Sequence, residues 1–167
     1  MEQVILVDET DQQLGLMEKL KAHKLGLLHR AISVVIFNHK GEMLIHRRSD
    51  EKYHSGGLWS NACCSHPRPN ETPLDAAYRR LVEEMGLSCS LTPLFSFIYQ
   101  AKFENGLIEH ELDHVFIGRT SDIPQAAPSE VSEWSFTSLP DLKNDIQQNP
   151  EKFTYWFKLI IEKLSDV

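Results

Sequence analysis

Short apolar runs alternate with polar, turn-forming runs along the chain, and their spacing predicts most of its elements. "VILV" (4–7) and "LGLM" (14–17) flank the turn-rich "DETDQ" and read as an N-terminal hairpin. "EKLKAHK" follows as a short helix. "AISVVIF" (31–37) and "EMLIHRR" (42–48) are rich in strand-forming residues and joined by "NHKG", with Gly41 at the turn. They form the strongest hairpin signal in the chain. Further strands are expected at 94–103, 108–120 and 131–136.

Two stretches switch to helical spacing. Leu74, Ala77, Tyr78, Leu81 and Met85 recur at three and four. Thr72 is placed to cap that helix, Pro73 to start it, Asp75 to favour its first turn and Gly86 to end it. Phe153, Trp156, Phe157, Ile160, Ile161 and Leu164 mark a last helix over about 150–165 that packs on the body. Between strands and helix, "SGGLWSNACCSHPRPNE" is a loop punctuated by glycine and proline, with a short extended piece in it. Strands with few helices, one of them mid-chain, predict a mixed sheet with helices on its faces. No repeat, low-complexity tract or linker divides the chain, so one domain over 1–167 is expected.

Charge and cysteine usage narrow the function classes. The formal net charge is −7, which argues against nucleic acid or an anionic membrane as partner. No apolar run approaches ~20 residues, so no membrane span is expected. The acidic start "MEQVILVDET" has no apolar core of a secretory signal. Cys63, Cys64 and Cys89 are odd in number and lack a disulfide-framework spacing, which points to the reducing cytoplasm. A bridge between the adjacent Cys63 and Cys64 would close a strained ring.

The central helix also carries chemistry. From Ser65 the chain runs five residues to Glu71, seven more to Arg79, and then to Glu83, Glu84, Met85 and Gly86. This resembles the Nudix box, G-x5-E-x7-R-E-U-x-E-E-x-G-U, whose carboxylates hold a divalent metal against a diphosphate. The pattern departs twice: Ser65 stands for the first glycine, and Arg80 for the glutamate after Arg79. The second change removes a metal-binding carboxylate that Nudix hydrolases use. Arg79 is spaced to pair with Asp75 and Glu83 along the helix.

His23 and His29 lie six apart, not at the four-residue spacing of a helical zinc pair, and His66 follows the cysteines. Taken singly, each reads as an ordinary histidine. "IEHELDH" places Glu109, Glu111 and Asp113 on one face of a strand, since side chains alternate with period two. Facing inward, they need a cation or raised pKa values; facing outward, they are a solvated edge.

Together these stretches resemble the type I isopentenyl-diphosphate isomerase family over nearly the whole chain. The resemblance rests on "AHKLGLLHRAISVVIFN", "LIHRRSDEKYHSGGLWSNACCSHPRPNET", "AAYRRLVEEMGL" and "IEHELDHVF". It implies an α+β fold: a Nudix-type α/β/α sandwich with a mixed β-sheet, an N-terminal hairpin extension and C-terminal helices. It also implies a divalent metal (Mn2+, Mg2+ or Zn2+) held by His23, His29, His66, Glu109 and Glu111, and a Mg2+ at Glu84 bridging the substrate diphosphate. No flavin is implied. Cys64 is then the catalytic thiol and Cys63 buried filler, because neighbours on an extended segment face opposite ways. Glu111, with Tyr99 beside it, is the other acid–base group, and Trp156 offers an aromatic face to a carbocation. Lys19, Arg48, Lys52 and Arg80 are the implied grip on the diphosphate of a small prenyl substrate. Trp59 and Cys89 are expected to be structural. A Nudix hydrolase of some other diphosphate is the alternative, and a non-catalytic metal-stabilised module a third reading.

Overall fold

The computed structural model describes residues 1–164. Nine strands form one mixed sheet. β1 (Gln3–Val7) and β2 (Gln13–Glu18) make the N-terminal hairpin, and α1 (Lys19–Leu25) leads from it into β3 (His29–Phe37). β3 is the spine of the sheet. It pairs in parallel with β8 (Ile108–Arg119), which pairs antiparallel with β7 (Leu91–Lys102). β4 (Met43–Arg48) pairs with β9 (Val131–Thr137).

β3 and β4 differ from a simple hairpin. They pair at Phe37 and Met43 and then diverge. The wedge between them receives the loop expected to be largely irregular: β5 (Trp59–Ser60) lies on β4, and β6 (Cys63–Ser65) lies on β3. Asn61, between the two short strands, donates to the carbonyls of Val34 on β3 and Cys63 on β6, at 2.9 and 3.0 Å. Each long strand gains ladder partners that an ideal hairpin would have excluded.

Alternation along β3 divides the core. Ile32, Val34 and Ile36 face α2 (Pro73–Met85), packing with Ala77, Leu81 and Met85. Val35 and Phe37 face the C-terminal layer with Phe157 and Ile160. The result is the α/β/α sandwich. Thr72 caps α2 by accepting from the Asp75 amide at 3.1 Å, and Gly86 ends it in the left-handed conformation with φ 62°. A Cβ at Gly86 would lie 2.8 Å from the Gln125 carbonyl oxygen, so both the backbone and the space require glycine.

The C-terminal region holds more than one helix, as the resemblance implied, where the apolar periodicity marked only the last. α3 (Leu139–Gln148) precedes it, capped by Ser138 with Pro140 in its first turn; only Leu142 is buried, so its apolar stripe is thin. A 3₁₀ turn (Pro150–Lys152) follows, and the chain is extended at Phe153. There Phe153 bridges Trp59, and the Thr154 amide donates to the Trp59 carbonyl at 2.9 Å. α4 (Tyr155–Leu164) begins only after this contact. Position 165 of the expected helix lies outside the described residues. Among the described residues, no helix is long and apolar enough to cross a membrane.

Candidate active site

Strand register assembles the site. His29 on β3 stands opposite Glu111 on β8, and Glu111 opposite Tyr99 on β7, so one line across three strands carries all three. The Tyr99 hydroxyl donates to Glu111 Oε1 at 2.5 Å. Glu109, Glu111 and Asp113 face inward and are all buried. Burial, and then the Glu111 charge, push the Glu109 carboxyl up to about 8 and that of Asp113 well above its usual range. Burial acts the same way on Glu111, but the imidazoles of His66 and His29 outweigh it and hold its carboxyl well below the ordinary value.

Three histidines converge on these carboxylates. His23 sits on α1, His29 at the start of β3 and His66 just after β6. Their ligand-capable nitrogens lie within 4.8 Å of one another, and His66, Glu109 and Glu111 meet the same limit. The Nδ1 atoms of His23 and His29 lie 2.7 and 2.9 Å from the carbonyls of Lys19 and Leu27. A carbonyl only accepts, so each Nδ1 carries a proton, and in the neutral ring each Nε2 presents a lone pair. Both Nε2 atoms and Glu109 Oε2 are buried without a hydrogen-bond partner. Orphaned donor atoms of this kind fit a divalent cation.

Cys63 and Cys64 face opposite ways. Cys63 is fully buried among the α2-side residues, and Cys64 lines the cavity beside the histidines. The Cys64 thiol donates to Asn61 Oδ1 at 3.1 Å and accepts from the Trp156 indole at 3.0 Å. Burial, and then the nearby Asp113 carboxyl, push it up to about 12, so it is a thiol at neutral pH.

Lys19, Arg48, Lys52 and Arg80 line the same cavity, whose volume is about 100 Å3. Three are matched by carboxylates: Lys19 by Glu2 at 3.3 Å, Lys52 by Glu130 at 2.5 Å, and Arg80 by Glu83, Glu84 and Glu130. The Arg48 guanidinium is buried, donates to the His54 carbonyl and lies 5.1 Å from the centre of the Trp156 ring. Glu84 sits behind Arg80. One of its oxygens accepts from Arg80 at 2.7 Å, and the other is buried without a partner. Burial, opposed by Arg80, pushes this carboxyl up to about 7. Arg79 makes the expected pair with Glu83 at 3.5 Å, but its other partner is Glu71 at 2.8 Å rather than Asp75, and so it ties the loop before α2 to the helix. Trp59 and Cys89 pack against the two cores.

A NUDIX domain model matches residues 27–157. The isopentenyl-diphosphate Delta-isomerase of Pectobacterium atrosepticum is 53% identical, covering 98% of this chain and 92% of its own length. The enzyme of that name from Serratia proteamaculans is 48% identical, covering 98% of this chain and 91% of its own. The chain belongs to the isopentenyl-diphosphate Delta-isomerase family. Solved structures agree on the fold alone. The DR0079 protein of Deinococcus radiodurans superposes with a TM-score of 0.82 at 21% identity, over 97% of this chain and 98% of that one. A MutT NUDIX hydrolase from Burkholderia pseudomallei gives 0.65 at 20% identity, over 81% and 96%.

Within this isomerase-family chain, sequence reasoning missed several cavity residues. Glu2, Glu130, Tyr53 and His54 line it, as does Ser33, which donates to Asp113 at 2.7 Å. Ser33, Tyr53 and His54 lie inside stretches that carry the family resemblance but had no role there, and Glu2 and Glu130 lie in none of them. Glu130 meets Lys52 and Arg80 from 78 and 50 residues away, so no local spacing announces it.

Proposed function

We propose that this chain interconverts isopentenyl diphosphate and dimethylallyl diphosphate in isoprenoid biosynthesis, acting as one domain on a small prenyl diphosphate. One observation carries the reading: Cys64, the Glu111–Tyr99 pair and a cluster of cations meet in a single small cavity. The name of the relatives from Pectobacterium and Serratia supports it. So does size, because about 100 Å3 is well below the ~300–1,000 Å3 of sites for drug-sized ligands. A five-carbon chain suits that space better than a nucleoside does.

The reaction adds one proton to the terminal alkene carbon, forming a tertiary cation, and removes another from the carbon on its far side. No electrons are gained or lost overall, so no flavin is required. Cys64 serves one face of the alkene and Glu111 the other. The protonated state of Cys64 suits a proton donor, and the low value of Glu111 keeps it ionised and able to accept a proton. Burial and the two neighbouring glutamates keep Tyr99 a neutral hydroxyl, able to pass a proton through its bond to Glu111. The Trp156 ring stabilises the cation without offering an atom that traps it. The buried walls keep out water, which would quench the cation to an alcohol.

Lys19, Arg48, Lys52 and Arg80 bind the diphosphate. Substrate oxygens take over from Glu2 and Glu130 as partners of the lysines and of Arg80. His23, His29, His66, Glu109 and Glu111 would hold a divalent ion such as Mn2+, Mg2+ or Zn2+, and Glu84, with its unpaired oxygen, would help to hold a Mg2+ for the diphosphate. When bound, these ions supply positive charge that offsets the buried carboxylates and the phosphates. The three free cysteines support a cytoplasmic setting.

The test is direct. Purified protein with a divalent metal should convert isopentenyl diphosphate to the dimethylallyl isomer without flavin or reductant, followed by NMR. Phosphate release with no isomer would replace this reading with hydrolysis.

A further inference from the structure

The family resemblance assigns no metal role to His54, yet it stands at the metal cluster. It sits in the loop between β4 and β5 and is 5% exposed. Three aromatic neighbours fix its ring. It stacks on Phe103 with ring centres 4.5 Å apart and planes 9° from parallel, and it meets Tyr53 and Trp156 edge-on. Its Nδ1 lies 3.1 Å from Ser55 Oγ. Its Nε2 lies 3.3 Å from Glu109 Oε1 but makes no hydrogen bond, because the alignment is poor. A buried nitrogen held this firmly and left without a partner has the signature seen in His23 and His29.

The geometry points to His54 as a fourth imidazole of the metal centre, entering through its His23–Glu109 edge. His23, His54 and Glu109 present donor atoms within 4.8 Å of one another, and the first and last also belong to the proposed ligand set. The inference rests on that set and extends it. With His54 the protein supplies four imidazoles and two carboxylates, enough to fill an octahedral ion. Two consequences follow. A nitrogen-rich shell favours Mn2+, Co2+ or Zn2+ over Mg2+. An ion filled by protein leaves little room for a substrate ligand, so it organises Glu109 and Glu111 while the diphosphate is gripped elsewhere. Ligation also ties the 49–58 loop, and with it Lys52, to the ion.

Cobalt makes the count visible. In protein loaded with Co2+, each bound imidazole gives one exchangeable ring N–H proton with a large paramagnetic shift in NMR. Wild type should show four such signals. His54→Phe keeps the stack on Phe103 while removing Nε2; it should show three, and its Co2+ dissociation constant should rise about 10–100-fold. Three signals in both proteins would overturn the inference. In that case, unchanged affinity would leave His54 a packing residue, and weakened affinity would make it only an orienting partner of Glu109. His23→Ala serves as the separate control. If it loses neither a signal nor affinity, the five-residue set itself is wrong, a failure distinct from that of His54.

Discussion

The Trp156 indole N–H donates to the Cys64 sulfur at 3.0 Å, joining residues 92 positions apart. The contact exists because Phe153 and Thr154 dock on Trp59 just before α4 begins. The proposed cation stabiliser is thus anchored to the proposed proton donor.

That surrounding predicts an unreactive thiol. Thiolate is the nucleophile, and Cys64 is pushed up to about 12. At pH 8 its alkylation by iodoacetamide should be about a thousandfold slower than that of a free cysteine. The rate should keep rising with pH above 9. Peptide mass spectrometry after timed alkylation measures it, and rapid labelling of Cys64 at pH 7 would contradict the buried environment.

The two adjacent cysteines should respond in opposite ways. Cys64→Ala should lower kcat by about 10²–10⁴-fold while the melting temperature changes little. Cys63→Ser puts a hydroxyl into an apolar core and should cost about 1–3 kcal/mol of stability while retaining turnover. Steady-state kinetics and denaturant unfolding on both variants separate the cases. A dead Cys63→Ser beside a live Cys64→Ala would reverse the assignment.

Arg80 should matter to both stability and binding. It is the cation between Glu83, Glu84 and Glu130, and Glu84 is buried. Removing one partner of a buried pair strands the other, so Arg80→Ala should cost about 3 kcal/mol in urea unfolding. KM for the diphosphate should also rise. Arg80→Lys should recover only part of this, because an ammonium lacks the fork that spans several carboxylates.

His46 should give stability a pH dependence. It is buried on β4, with Nδ1 against the Asn61 carbonyl. Burial, and then the Arg48 charge, hold it down at about 4, against an ordinary value of 6.5. The unfolded chain therefore binds the extra proton first as pH falls. The contribution is fully present above pH ~6.5 and is lost as pH falls toward ~4, and its full size is about 3 kcal/mol. His46→Gln should lie below wild type at pH 8 and approach it near pH 4.5, as measured by urea unfolding at both values. A gap that widens on acidification would refute the assignment.

What the sequence determined by itself was local. Thr72, Pro73 and Gly86 bounded α2 because capping and left-handed geometry act within a few residues. Period-two alternation placed Glu109, Glu111 and Asp113 on one face, and set Cys63 against Cys64. The tertiary structure decided what depends on pairing between distant strands. Which way the acidic strand faced required the β3–β8 register that sets His29 opposite Glu111. The parting of β3 and β4 required the short strands that enter between them. α3 showed only its Ser138 cap and Pro140, since one buried leucine makes no stripe. The contacts of Glu130 with Lys52 and Arg80, and of His54 with Glu109, were invisible because the partners lie far along the chain, and only folding turns sequence distance into contact.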